Sequence, residues 1–139
     1  MKNIILLFTI IISFSSCSQN DENQKNENSI YGTWKLVEIY GSDGGNSPQW
    51  NPVNNGYTYT FNSDNSFASN RFSECSTGMY ELTSSNLTLK YNCDGFNTGI
   101  ENPPGSFVEN YVFESNHLIL TPTYLNCDEG CSYKFEKVE

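Results

Sequence analysis

The chain has 139 residues and a formal net charge of −9, from 7 basic and 16 acidic side chains. So few basic groups cannot displace the counterions that surround phosphates, which argues against nucleic acid as a partner. Aromatic residues make up 14% of the chain and charged residues only 17%, a balance typical of β-sheet proteins.

Residues 1–16 are predicted to be a lipoprotein signal peptide. Lys2 precedes an apolar run from Ile4 to Ile12, and mostly small residues follow up to Cys17. The run is much shorter than the ~20 residues that a helix needs to span a bilayer. We therefore expect a lipid on Cys17 that attaches the protein to the outer membrane, with cell-surface exposure as an option. The alternative is an ordinary signal peptide that ends near Ser16 and leaves Cys17 as a thiol.

Residues 17–29 are predicted to be a disordered polar tether. From Ser18 to Ser29 no residue is apolar, so this segment can bury nothing to offset the entropy lost on ordering. The remaining residues, 30–139, are predicted to form one small domain.

Eight strands are predicted in this domain, each bounded by turn residues. The second shows the basis most clearly, because aromatic residues alternate with threonines at the two-residue period of a strand. The predicted strands are Thr33–Tyr40, Tyr57–Asn62, Ser66–Phe72, Met79–Thr83, Leu87–Asn92, Phe107–Glu114, Leu118–Thr121 and Ser132–Val138. Hairpin-like connections favour an all-β, antiparallel up-and-down barrel of eight strands, with an open sandwich as the alternative.

The register of two hairpins follows from their turns. Placing Asn62 opposite Ser66 sets Phe61 against Phe67 and Tyr59 against Ser69. In the same way, placing Glu114 opposite His117 sets Phe113 against Leu118 and Tyr111 against Leu120. Both registers place the large apolar residues on one face, as a one-sided sheet requires.

Four cysteines lie in the predicted domain: Cys75, Cys93, Cys127 and Cys131. An even number in an exported domain predicts two disulfides. The strand geometry favours the local pairs, 75 with 93 and 127 with 131. A zinc site does not fit, because no Cys-x-x-Cys pair occurs and His117 lies far from the cysteines. We predict no metal and no cofactor.

The first connection, from Gly41 to Gly56, is unlike the others. It is long and without periodicity, which is uncommon in a compact domain and often functional. Trp50 is its only large apolar residue.

Gly32-Thr33-Trp34, at the head of the first strand, resembles the glycine-x-tryptophan motif that opens lipocalins. The continuation Lys35-Leu-Val-Glu-Ile39 is similar to the start of the lipocalin-like domains of Bacteroidetes lipoproteins. In such lipoproteins, acidic residues soon after the lipidated cysteine act as a signal for export to the cell surface, and Asp21 and Glu22 match that position. The resemblance implies that Trp34 packs at the closed end of the barrel beneath a basic side chain, Lys134 or Lys137.

The resemblance also implies a calyx whose open mouth is crossed by the first loop. Its candidate ligand-binding residues are Trp50 at the rim, with Tyr57, Tyr59, Phe61, Phe67, Arg71, Tyr80, Tyr111 and Leu120 within. Arg71 on the inward face would need a partner, either an acidic ligand head group or a glutamate such as Glu109. A packed core is the alternative, since an eight-stranded barrel is only just wide enough to admit one small ligand.

Two functions stay open from the sequence. The first is a membrane-tethered module that binds a small apolar or amphipathic molecule. The second is a non-catalytic envelope protein with a packed barrel, whose loops contact a protein or glycan through Trp50, residues 97–105 and the Asp128-Glu129 turn. Enzyme activity is not expected, because His117 is the only histidine and lies in a predicted turn, without a nucleophile and orienting group beside it.

Replacement of the predicted lipid-bearing residue, Cys17→Ser, is expected to abolish incorporation of a clickable fatty-acid analogue in the native host and to release the protein from the membrane fraction. The neighbouring change Ser18→Ala serves as the control and should leave both unaffected. Labelling that persists in C17S would contradict lipidation at this position.

Overall fold

The structure, a computed structural model, describes residues 29–42, 44–128 and 130–138. The predicted signal peptide, Cys17 and the tether up to residue 28 lie outside the described residues. Nine strands are present in the described ranges: β1 (Gly32–Gly41), β2 (Gln49–Pro52), β3 (Thr58–Phe61), β4 (Ser66–Ser69), β5 (Thr77–Leu82), β6 (Asn86–Tyr91), β7 (Ser106–Glu114), β8 (His117–Pro122) and β9 (Ser132–Val138). Over these residues we find no helix with the length and apolar character needed to cross a membrane.

Eight of these strands form the predicted closed antiparallel barrel. The sheet runs from β1 through β3 to β9 in sequence order, and the pairing of β1 with β9 closes it. On the edge opposite β9, β1 pairs with two strands. Its first half, from Gly32 to Lys35, pairs with β3, whereas Glu38 to Gly41 pair with β2.

The strand that was not predicted is β2, which lies within the first connection. The prediction that this loop has no regular structure is therefore wrong. β2 has four residues, pairs with β1 alone, and is largely exposed. A strand with no buried face has no hydrophobic alternation to reveal it, and Pro52 at its end is typical of an edge strand. The loop is therefore folded back on β1 as a hairpin.

The predicted registers and disulfides are confirmed. Phe61 pairs with Phe67 across β3 and β4, and Phe113 pairs with Leu118 across β7 and β8. Disulfides join Cys75 to Cys93 and Cys127 to Cys131. Strand order places both disulfides at the same end of the barrel, which we call the mouth; it carries residues 42–57, 70–76, 92–105 and 123–131. The opposite end, the base, carries the short turns 62–65, 83–85 and 115–116.

The base is closed around the tryptophan of the Gly-x-Trp motif. Trp34 is fully buried, and its indole N–H donates to the carbonyl oxygen of Ile30 at 2.7 Å. Of the two candidate lysines, Lys137 is the one over this ring, with Nζ 5.1 Å from the ring centre. Gly32 adopts a φ of 111°, and an added Cβ would lie 3.0 Å from Cε of Lys137. The motif thus needs its glycine for the backbone, while the flexible end of Lys137 could move aside for a small side chain.

The disulfides can be ranked by the loops they close. In the chain-entropy account, the separation of 18 residues between Cys75 and Cys93 corresponds to about 3 kcal/mol of the free energy of unfolding. The separation of 4 residues between Cys127 and Cys131 corresponds to about 2 kcal/mol. We expect urea unfolding to show a larger loss for Cys75→Ala/Cys93→Ala than for Cys127→Ala/Cys131→Ala. The reverse order would contradict this ranking.

Candidate ligand-binding site

The interior of the barrel has an apolar lower part that includes several of the predicted ligand-binding residues. Phe61, Phe67 and Leu120 are at most 2% exposed and belong to one continuous core. Tyr80 and Tyr111 point toward the base, because their hydroxyls donate to the carbonyl oxygens of Asn62 and Thr83, in two of the base turns. These five residues are thus core and base residues.

Trp50 lies apart from the interior set. Its ring centre is 5.2 Å from that of Tyr40 and 4.1 Å from Nζ of Lys134, which forms an ion pair with Glu38. The rings of Tyr133 and Phe135 on either side of Lys134 belong to or pack against the core, so Lys134 itself faces outward. The structure therefore places Trp50 on the outer face of the β1–β2 hairpin.

The remaining three predicted residues, Tyr57, Tyr59 and Arg71, meet beneath the mouth. Nη1 of Arg71 donates to the hydroxyl oxygen of Tyr59 at 3.1 Å. The guanidinium carbon also lies 4.5 Å from the ring centre of Phe107, 5.2 Å from that of Phe72 and 5.3 Å from that of Tyr57. Aromatic faces attract a cation at such distances, and they partly replace the water that burial removes.

The charge of Arg71 is retained in this setting. Burial by itself lowers the pKa of the guanidinium, but the electrostatic interactions with the oxygens of Tyr59 and Tyr57, which include the hydrogen bond accepted by Tyr59, keep the pKa above its ordinary value. The same burial raises the pKa of the Tyr57 and Tyr59 hydroxyls, which therefore remain protonated. The layer beneath the mouth thus contains a permanent cation surrounded by neutral hydroxyls.

Glu109 is the acidic member of this layer. The sequence suggested it only as one possible partner of Arg71. It is 2% exposed, and its Oε1 accepts a hydrogen bond from the hydroxyl of Tyr124 at 2.8 Å. Its Oε2 is buried and has no hydrogen-bond partner among the described residues. Burial raises the pKa of this carboxyl, while the Tyr124 hydrogen bond and the charge of Arg71 act in the opposite direction.

An aromatic cluster covers the polar layer on one side of the mouth. Phe72 and Phe96 have ring centres 5.2 Å apart, and Phe96 lies 5.2 Å from Tyr91. The loop that carries Phe96 is tied to Cys75 by the disulfide at Cys93. The hydroxyl of Tyr91 is buried without a hydrogen-bond partner in the described part of the chain. The sequence did not single out this cluster or Tyr124. Phe72, Phe96 and Tyr124 lie in loops, where only aromatic content was a signal, and Tyr91 at the end of β6 did not differ from other aromatic residues of the strands.

The described residues of the mouth line two clefts. One, of about 600 Å³, lies between residues 99–102 and 123–126, and its walls include Ile100, Tyr124 and Leu125. The other, of about 300 Å³, lies along the β1–β2 hairpin between Ile39, Gln49 and Asn51. Tyr124 is the residue that links the larger cleft to the buried layer, because the same side chain lines the cleft and donates to Glu109.

No metal-binding group is found in the part of the chain that the structure describes, where no three His, Cys, Asp or Glu side chains are clustered suitably. His117 begins β8, directly after the turn, and its Nδ1 lies 2.8 Å from the carbonyl oxygen of Ser115.

A closed antiparallel barrel with an accessible cleft and a polar layer at one end defines a class of small-molecule binding folds. A family model described as a lipocalin-like domain matches residues 30–120, well over half of the chain. The chain therefore belongs to the lipocalin-like domain family, which confirms the resemblance of its opening motif. A search of curated proteins finds no match.

The buried carboxyl should make stability depend on pH in a definite direction. Because the pKa of Glu109 is raised in the folded state above its ordinary 4.5, the folded protein holds this proton more tightly than the unfolded chain does. Its contribution to stability is complete below the unfolded pKa and is lost as pH rises through the folded pKa. We expect Glu109→Gln to gain free energy of unfolding relative to the wild type as pH rises above the ordinary pKa of 4.5.

Urea unfolding of both proteins at several pH values tests this expectation, since groups common to both cancel in the difference. The matched control, Glu81→Gln at an exposed position, should show no comparable trend with pH. A difference between wild type and E109Q that is flat, or that grows in favour of the wild type with rising pH, would contradict the expected burial of charge.

Proposed function

We propose that the mouth of this barrel binds a small apolar or amphipathic molecule. The observation that carries the proposal is the cleft of about 600 Å³, whose wall residue Tyr124 reaches the buried layer of Arg71 and Glu109. A cleft of this volume is within the range of known small-molecule sites. Its apolar wall residues, Ile100 and Leu125, suit the apolar part of a ligand, and the layer below suits a polar end.

The site favoured here is higher in the barrel than the calyx that the resemblance implied. Phe61, Phe67 and Leu120 are too closely packed in the core to line an open space. A ligand at the mouth needs no displacement of these side chains. It contacts instead the loops that the two disulfides hold in place, whose covalent ties reduce the ordering that binding requires.

We also propose that the barrel is attached to the outer membrane and functions close to it. The support is the sequence of residues 1–16, the lipid-acceptor position Cys17 and the polar segment up to Ser29. A random coil of that segment's length has a reach of about 20 Å. The ligand would then be captured close to the membrane, and a role in capture or hand-over, without catalysis, fits this arrangement.

A second candidate function is contact with an envelope protein or glycan. The observation that favours it is the outer face of the β1–β2 hairpin, where Trp50 and Tyr40 lie beside the ion pair of Lys134 and Glu38. Aromatic residues such as Trp and Tyr are enriched in such contacts. In this case ligand uptake at the mouth would be absent, and Trp50→Ala would remove binding to envelope material.

The two candidates are separated by a matched pair of leucine variants. Leu125 lines the large cleft and is 48% exposed, whereas Leu82 is 41% exposed at the end of β5 near the base. We expect Leu125→Asp to weaken binding of the neutral dye Nile red by about tenfold, because a charge replaces an apolar contact. Leu82→Asp should leave the dissociation constant unchanged.

Fluorescence titration of the folded barrel measures both constants, and circular dichroism checks that each variant is folded. Absence of dye binding to the wild type, or equal loss in both variants, would remove the support for a site at the mouth.

A further inference from the structure

The buried layer contains two groups of opposite charge whose hydrogen-bonding capacity is incompletely used. A guanidinium has five N–H donors, and the hydroxyl of Tyr59 accepts from one nitrogen of Arg71 at 3.1 Å. The carboxyl of Glu109 accepts from Tyr124 at Oε1 only, and its buried Oε2 has no partner among the described residues. A buried acceptor without a donor is costly, so a donor supplied by a ligand would be bound with a large advantage.

Tyr124 connects this layer to the large cleft. It lines the cleft, and its hydroxyl donates a hydrogen bond to Oε1 of Glu109. Thr123, the neighbouring wall residue, is bonded to the carbonyl oxygen of Val108, next to Glu109 in β7. The wall of the cleft therefore lies directly over the layer that contains the unused acceptor.

With Glu109 ionised, its charge and that of Arg71 together disfavour a charged head group. An anion that approaches Arg71 also meets Glu109, and a cation that approaches Glu109 also meets Arg71; in a site shielded from water neither repulsion is weakened by solvent. A neutral group that both donates and accepts meets no such opposition. It can donate to Oε2 of Glu109 while its oxygen accepts from the guanidinium of Arg71.

We infer that the ligand is an amphipathic molecule with an uncharged head group that both donates and accepts hydrogen bonds, such as a primary amide or an alcohol, held between Glu109 and Arg71. This inference rests on the proposed function and adds to it the chemical class of the ligand. It also gives the two buried charges a role beyond the packing of the barrel.

Three probes with the same chain and different heads test the inference: decanamide, decanoate and decylammonium. Each is titrated against Nile red bound to the wild type at neutral pH. We expect decanamide to displace the dye at a concentration about tenfold lower than either charged probe, because only its head satisfies both groups.

Reciprocal variants then assign the preference to the two residues. Glu109→Gln removes the negative charge and should improve decanoate relative to decanamide by about tenfold. Arg71→Gln should improve decylammonium in the same way. Glu81→Gln, an equal change of charge on the exposed face of β5 outside the cleft, is the control and should preserve the wild-type order. If either Glu109→Gln or Arg71→Gln fails to fold, the other variant still tests the inference.

The outcomes are distinct. If the probes displace the dye but a charged probe is preferred, or if the order is the same in all folded variants, the inference on the head group is overturned and the site at the mouth remains. If the wild type binds neither the dye nor any probe, the proposed function fails and the inference fails with it.

Discussion

The pairing of β1 with β9 is the constraint on which the interior depends. It turns a meander of strands into a closed wall, so every inward-facing side chain shares one narrow space. A bulge between Leu36 and Glu38 lets β1 follow this curvature, and beyond it the free edge of β1 is taken up by β2. The same strand thus closes the barrel and supplies the platform for the hairpin at the mouth.

Closure also explains why the interior is divided into two layers. Near the base, Trp34, Phe61 and Phe113 fill the space with rings, and polar atoms there reach turn carbonyls close by. Toward the mouth, the loop after β4 supplies Arg71, and an inward position of β7 is occupied by Glu109. Aromatic rings surround the cation there, so its burial is compensated by contacts that an aliphatic core would not supply.

Much of the barrel could be predicted because residues close together in the sequence determine its strands and turns. The alternation in residues 57–62 and the short turns determine both strands and register, so Phe61 was correctly set against Phe67. The disulfides follow from the same geometry. β2 could not be predicted, because it is short, exposed and defined only by its partner β1.

The candidate site was predicted only in part, for a related reason. Arg71, Tyr57 and Tyr59 lie on strands or their direct extensions, and their inward direction follows from the two-residue period. Tyr124 comes from the loop after β8, more than fifty residues later in the chain than Arg71. The β7–β8 register, which sets Glu109 opposite Pro122, brings it to Glu109, but the loop has no period that would reveal its inward direction. The sequence also does not show why position 78 is a glycine. Gly78 lies opposite Phe67, and the ring of Phe67 fills the space that a side chain at position 78 would need.

The location of both disulfides at one end has a consequence for when the mouth takes its final shape. Cys75, Cys93, Cys127 and Cys131 all belong to the loops of the mouth, whereas the base turns contain no cysteine. Disulfides persist only in oxidising compartments. The base can be complete in any surroundings as soon as the sheet closes, but the loops around the cleft are covalently fastened only under oxidation. The covalent fastening of the mouth is therefore a step that the base does not require, and it depends on the compartment in which the protein folds.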